Sequence, residues 1–453
     1  MMISTLLVIL SFVLMSLVDV NLLMVLVPLW GIAFFILSVL RDDSKQHFRW
    51  AYTICFSVGL IYIALCQLYM SAYNYEYLLA YDTIDVFLPR LEDFMSGSRS
   101  YGDTLKNIWD DYSFWDRFQV GYYSFIAFWA TIANNIDADL YATLQIGTVF
   151  TCSFIVVLLC RILQLNGIDS SVGRKYAMLI SILSPILLYS TVILRDGLIA
   201  LVYVYLIYIC HKQFSWTNVI KIIIASYVCT TLRIETGLFA FVFIPFYFCI
   251  NWEYIRHNVL AILLFIIVVT GVVFVIMTYM SSIMIVAQAN YEYYSEDVSE
   301  GTGIIGMLQR IPILGPVLSI FYTFLTPMPC WRRLNPEYWF DGWPEVYNVM
   351  QFPTIISALF HFYLVFYLSS FVLAIKPVKN TYKGALKWLV LFALLFLLIQ
   401  SAIVTQRRIL GAYVIFYLVW AITHNKNESS YNRKILNISL ICFVLLQIVA
   451  FIY

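Results

Sequence analysis

A chain of 453 residues in which 62% of positions are hydrophobic and only 12% charged cannot bury its apolar surface as a water-soluble globule would. Apolar runs long enough to cross a bilayer recur along the whole chain, which points to an all-α, polytopic membrane protein; a β-barrel would show short alternating strands, and none is visible. A net charge of +1 gives no support for a nucleic-acid partner.

Spans are predicted near residues 3–18, 21–40, 51–72, 140–164, 176–194, 197–211, 217–233, 236–250, 258–280, 352–375, 385–404, 409–423 and 435–453. Two further apolar stretches, 120–133 and 311–327, are shorter or broken by proline and are placed as re-entrant or interfacial helices. The expected architecture is a transmembrane helical bundle of about 12–14 spans in one integral membrane domain, 1–453, with two large outer loops containing short helices, 73–139 and 281–351. The first segment, Ile3–Leu17, lacks a basic start and a small-residue cleavage site, so it reads as a span and not as a cleavable signal. The nine cysteines are scattered, seven of them in apolar runs, without CxxC or His–Cys spacing. Neither a disulfide framework nor a metal site is expected, and the absence of a P-loop, a nucleotide fingerprint or a nucleophile elbow leaves no cofactor to expect.

With the N-terminus inside, short inner connections hold 16 of the 27 basic residues, as the positive-inside rule requires. Ten of the eleven lysines fall inside, whereas the outer side keeps Lys106 and ten arginines: 90, 99, 117, 195, 233, 310, 332, 333, 407 and 408. Topology explains the loss of outer lysine but not the retention of outer arginine. A planar fork that holds phosphate or carboxylate through paired hydrogen bonds does, and so do structural salt bridges with the outer acids.

The first outer loop combines acids, including Asp82 and Asp85, with a dense aromatic set around Trp109–Tyr123. Carboxylates bind or deprotonate hydroxyls and rings stack on sugar faces, although an interfacial aromatic belt has the same composition. The second begins with an acidic, tyrosine-rich stretch and continues through Gly301, Gly303 and Gly306 to Pro327-Met328-Pro329-Cys330-Trp331-Arg332-Arg333. Trp331, Arg332 and Arg333 are its candidate substrate contacts, in a loop whose glycines and prolines fit either a lid or an inert cap.

Three tight turns carry the sharpest signal: Leu194-Arg195-Asp196-Gly197, Leu232-Arg233-Ile234-Glu235-Thr236-Gly237 and Gln406-Arg407-Arg408. Each sits between apolar stretches with no room for a loop, where charge is costly and usually functional. Pro185 is expected to kink the helix that leads to Arg195. Arg195, Arg233, Arg407 and Arg408 are the candidate phosphate ligands, with buried ion pairs and helix-end anchoring as the alternatives. His361 reads as a packing residue.

In these turns, in the Pro-Met-Pro-Cys-Trp stretch and in the late Arg-Arg before a span, the chain resembles bacterial surface-polysaccharide polymerases of the Wzy type, which join O-antigen or capsule repeat units. Its acidic first loop is also similar to that of lipid-linked glycosyltransferases of the GT-C fold, and a lipid-linked oligosaccharide flippase is the third reading. The polymerase resemblance implies an enzyme of the bacterial inner membrane with its site facing the periplasm. Its substrates would be a growing glycan on undecaprenyl diphosphate as donor and one lipid-linked repeat unit as acceptor, with membrane lipid and a chain-length regulator as partners. Arginines would then stabilise the leaving diphosphate. A carboxylate among Asp82, Asp85, Asp196 and Glu235 would orient or deprotonate the acceptor hydroxyl.

Overall fold

The computed structural model describes residues 2–40, 44–73, 86–98, 100–111, 119–257, 385–399 and 410–426, together with scattered positions between 259 and 445. Among the described residues there is no strand and 87% are helical, which establishes the all-α class. The chain forms two compact units: Met1–Val204 with Thr231–Ile234 and Trp331–Ser357, and Tyr205–Thr230 with Glu235–Cys330 and Ala358–Tyr453.

The first unit is built on α1 (Met2–Val18), α2 (Leu22–Val39), α3 (Lys45–Tyr73), α4 (Leu88–Met95), α5 (Tyr101–Asp110), α6 (Val120–Ile136), α7 (Leu140–Cys152), α8 (Phe154–Leu165), α9 (Ser170–Leu183), α10 (Pro185–Thr191) and the start of α11 (Asp196–Cys210). Small residues let the long helices approach closely. A Cβ on Gly59 would lie 2.5 Å from Val149, and one on Gly147 would lie 2.3 Å from the Trp129 ring, so α3 and α6 both close onto α7. Among the described residues, three helices are long and apolar enough to cross a membrane: Leu22–Val39, Lys45–Ala72 and the joined Leu140–Leu165. A fourth arises if α9 and α10 count as one span bent by 59°.

Two sets of contacts define the ends of this unit. At one end Asp19 Oδ1 accepts from Asn21 N, Asp19 Oδ2 accepts from Asp139 N, and Asn21 Nδ2 donates to Asp137 O, so the α1–α2 and α6–α7 turns are joined. Asp137 caps α6 in the left-handed region at φ 52°, which aspartate tolerates better than most residues. At the other end of α1, Ser4 accepts from Trp50, and Ser44 bonds Ser170. The first two turns predicted to lie outside are thus together, and so are the first turns predicted to lie inside.

Helix boundaries differ from the apolar runs where polar turns extend them. α3 begins at Lys45 and α9 at Ser170, because hydropathy marks only the apolar part of a helix and Asp169 supplies a cap by accepting from Ser171 N. Stretch 120–133 is a full helix to Ile136, with Tyr122, Tyr123 and Trp129 buried. The stretch 73–139 also holds the short helices α4 and α5. α5 starts with Ser100, which accepts from Asp103 N, and an Arg90–Asp111 ion pair ties α4 to the end of α5.

In the second unit, Tyr247 orders the turn before α12 (Trp216–Leu232). Its hydroxyl donates to Gln213 O at 2.7 Å and accepts from Ser215 N and Asn218 Nδ2, while Phe214 stacks on its ring. α13 (Ile234–Ala240) and α14 (Phe243–Ile250) pack Phe239, Phe243 and Phe246 around Phe392 of α15 (Ala385–Ile399). α16 (Leu410–Lys426) is buried on all sides from Leu410 to Ile422, so it reads as an interior helix.

Candidate functional site

The site forms where two helical segments break. The segment predicted over 176–194 does more than kink at Pro185: α9 ends at Leu183, and α10 restarts on Ser184, whose hydroxyl accepts from Ile186 N. α10 then ends at Thr191, and four residues, Val192 to Arg195, lead into α11. The exposed carbonyl of Thr191 needs a donor, as helix-terminal carbonyls do. Gln145 Nε2 supplies it at 2.7 Å, and Gln145 Oε1 in turn accepts from Gln67 Nε2 at 2.7 Å. Both glutamines are buried, so this amide relay fixes the strand of backbone that presents Arg195 and Asp196.

The second break is a single residue, Arg233, between α12 and α13. A Cβ on Gly237 would lie 2.1 Å from Thr230 Cα, so glycine is required there by close approach of the two helices. Gly121 plays the same part for Thr231, with a notional Cβ 2.2 Å from its Oγ1.

The two breaks dock on each other. Arg233 Nη1 is 2.8 Å from Asp196 Oδ1, with side chains 8% and 1% exposed. Arg195 Nη1 donates to Leu232 O at 3.4 Å. Each placement suits the helix ends: Asp196 opens α11, where negative charge is favoured, and both guanidiniums lie at the C-terminus of α12, where positive charge is favoured. Arg195, only partly buried, also lies over the ring of Phe87, 5.8 Å from its centre. Phe87 comes from the first loop, two residues after Asp85. Tyr122 is fully buried, packs on Phe87, and interacts electrostatically with Arg195, Asp196 and Tyr141. Among the described residues neither Asp196 Oδ2 nor the Tyr122 hydroxyl has a hydrogen-bond partner.

The depth of this centre was not visible in hydropathy. A Cβ on Gly197 would lie 3.0 Å from Cys152 Sγ, at the end of the 13-residue α7. At 1.5 Å per residue that is about 20 Å along α7 from the Asp139 cap.

Of the candidate residues, Arg195, Asp196 and Arg233 come together, and Arg233 pairs with Asp196 instead of its neighbour Glu235. Glu235 is exposed, belongs to the second unit and forms no ion pair among the described residues. Asp82, Asp85, Trp331, Arg332, Arg333, Arg407, Arg408 and His361 lie outside the described residues. Gln67, Gln145 and Tyr122 were missed as site residues. The one available signal was a glutamine in each of two otherwise apolar spans, since an amide there must find a partner. Cys55, Cys66, Cys152, Cys160, Cys210 and Cys229 are buried free thiols, consistent with small apolar packing residues.

Chemically, the centre offers one partly exposed guanidinium, one guanidinium locked to a carboxylate, and two enclosed oxygens with no hydrogen-bond partner among the described residues. Comparison with protein-family models, curated proteins and solved structures gives no match.

Proposed function

We propose that this protein is a polytopic glycosyltransferase of about 12–14 spans in the bacterial inner membrane. It would join undecaprenyl-diphosphate-linked oligosaccharide repeat units at the periplasmic face, as polymerases of the Wzy type do. The observation that carries the proposal is the convergence of Arg195 and Arg233, 38 residues apart in sequence, on one centre inside the first unit. Preorganised guanidiniums in a water-poor site suit a diphosphate leaving group, on which negative charge develops as the anomeric bond breaks.

Their surroundings separate their roles. Arg195 is the partly exposed cation and takes the diphosphate contact. Arg233, held by Asp196, sets the position of Arg195 through the Leu232 carbonyl. Asp196 is thereby assigned to the ion pair, which leaves Asp82, Asp85 and Glu235 for the acceptor hydroxyl. Arg407, Arg408 and the Trp331-Arg332-Arg333 stretch complete the substrate contacts in this reading. The acceptor oxygen attacks the anomeric carbon, the carboxylate takes its proton, and the lipid diphosphate leaves with the bonding electrons, so no nucleotide is consumed.

The test is deletion of the gene followed by electrophoresis of the surface glycan. A polymerase defect leaves a single repeat unit and no ladder. A truncated unit would replace this proposal with a transferase acting earlier, and complete loss of the unit would replace it with a flippase.

A further inference from the structure

Asp196 Oδ2 and the Tyr122 hydroxyl are buried oxygens of the same centre, and neither has a hydrogen-bond partner among the described residues. Asp196 is 1% exposed and Tyr122 is fully buried. Leaving either oxygen unbonded carries the full cost of taking it out of water, so two of them in one centre call for a shared partner. Their surroundings are shared. The Tyr122 hydroxyl interacts electrostatically with both Asp196 and Arg195. Phe87 packs on Tyr122 with ring centres 4.8 Å apart, and the same ring lies beneath the Arg195 guanidinium. Gly121, one residue before Tyr122, meets Thr231, two residues before Arg233. The start of α6 therefore reaches both helix breaks.

What the two oxygens need defines the partner. A carboxylate paired with arginine only accepts, whereas a phenol both donates and accepts. One group must therefore donate to Asp196 and can accept from Tyr122. A phosphate fails the first requirement, since it would set anion against anion. A metal cation would add positive charge where two guanidiniums already stand against one carboxylate. A sugar hydroxyl has suitable chemistry, but both oxygens are enclosed, and the exposed surface here belongs to Arg195. Water offers the same donor and acceptor and is small enough to remain inside. Buried waters typically make about three hydrogen bonds to polar groups that the chain itself leaves unbonded.

We propose that one internal water is bound between Tyr122 and Asp196, accepting from the Tyr122 hydroxyl and donating to Asp196 Oδ2. Tyr122 is thereby a positioning residue: through the water it fixes the carboxylate that holds Arg233, and it does not touch substrate. The site stands whether or not the protein is a glycosyltransferase.

The experiment is the unfolding midpoint of the full chain in mixed micelles titrated with a denaturing detergent, with Tyr122→Phe made in two backgrounds. In the native sequence the change removes a hydroxyl that holds the water and should lower the midpoint. In Arg233→Met/Asp196→Leu no carboxylate is left to bridge, so the same change removes an unbonded hydroxyl and should raise the midpoint or leave it unchanged. A midpoint that rises or stays level in the native background, or that falls equally in both, would overturn the proposal. X-ray radiolytic footprinting of the unaltered chain reads the water without depending on any variant. Radicals formed from a bound water oxidise the ring beside it, so Tyr122 should be oxidised and should take up the label after incubation in heavy-oxygen water. Tyr52 is the control: it is fully buried, and its hydroxyl donates to Phe150 O at 3.1 Å. Tyr122 as unreactive as Tyr52 would mean that the two oxygens are dry, and the proposal would fall.

Discussion

Removing Arg233 alone should do far more damage than removing it together with Asp196. The pair is 2.8 Å long, and its side chains are 8% and 1% exposed. Among the described residues, Asp196 Oδ2 has no hydrogen-bond partner even in the intact centre. Arg233→Met therefore strands a buried carboxylate with neither a cation nor a second protein donor, at a cost of about 3–5 kcal/mol. That is a large share of a typical folding free energy of about 5–15 kcal/mol. Asp196→Leu strands the guanidinium and should cost a similar amount. The double variant removes both charges, roughly preserves volume, and should recover most of the loss, so that the coupling in the cycle exceeds either single-variant loss of about 3–5 kcal/mol. The measurement is the shift in unfolding midpoint on titrating mixed micelles with a denaturing detergent, using the full chain. A single-variant loss below about 1 kcal/mol, or a double variant no better than the singles, would mean that water screens the pair. The desolvated centre described above would then be wrong.

Further outcomes follow from the same geometry. Arg195→Lys keeps the charge but loses the fork, and in the polymerase reading it should abolish the glycan ladder while unfolding with the native midpoint; a normal ladder counts against the diphosphate contact. Gln145→Leu leaves the Thr191 carbonyl and the Gln67 amide unsatisfied, so a loss of about 2–4 kcal/mol is expected, with Gln67→Leu/Gln145→Leu no worse than the single change. Gly237→Ala drives a methyl into the Thr230 backbone and should destabilise strongly, whereas Gly31→Ala meets nothing within 4 Å and should be neutral or slightly stabilising in the same assay. Asp139 has its pKa raised by burial and, less strongly, by Asp19, so its ionisation works against the fold. Its favourable contribution is complete below the unfolded carboxylate value and is lost as pH rises through the folded one. Asp139→Asn, which keeps the cap on Ala142 N, should stabilise at neutral pH and lose that advantage on acidification; a gain that persists at low pH would contradict this sign.

What could be read from the chain tracks how local the cause is. Apolar length marked α1, α2, the joined α7–α8 helix and α11 within a few residues, because a membrane-type helix declares itself residue by residue. Hydropathy stopped short wherever polar turns continued a helix, as at Lys45 and Ser170. The turns at Arg195 and Arg233 were equally legible, since arginine beside glycine between apolar runs has few explanations. Their pairing was not. Arg233 has Glu235 two residues away, yet it bonds Asp196, 37 positions earlier, because the short segment Thr231–Ile234 packs within the first unit beside the start of α11. Among the arginines predicted to lie outside, Arg90 and Arg233 both sit in ion pairs, so the salt-bridge explanation accounts for them directly. Phe87 and Tyr122 entered the site from the aromatic first loop, where nothing in composition distinguished them from a belt.

The Asp196–Arg233 pair is a weak device for stability, since a well-packed apolar pair of the same volume often holds a buried contact as well or better. What it adds is register. Two helix breaks with apolar flanks can slide by a turn and still bury their side chains, whereas an ion pair 2.8 Å long with almost no exposure is satisfied at one setting only. The neighbouring contacts agree with that setting: Gly121 admits Thr231, Gly197 admits the Tyr189 carbonyl, and Gln145 tethers Thr191. Each constrains backbone on one side of Arg195. The site is therefore arranged so that the one partly exposed guanidinium of the pair of turns is held at a fixed height by groups that do not reach the substrate themselves. Under this arrangement, loss of the Arg233–Asp196 charge pair with stability restored should still misplace Arg195. The double variant that recovers folding should not recover activity, and recovery of both would reduce the pair to packing.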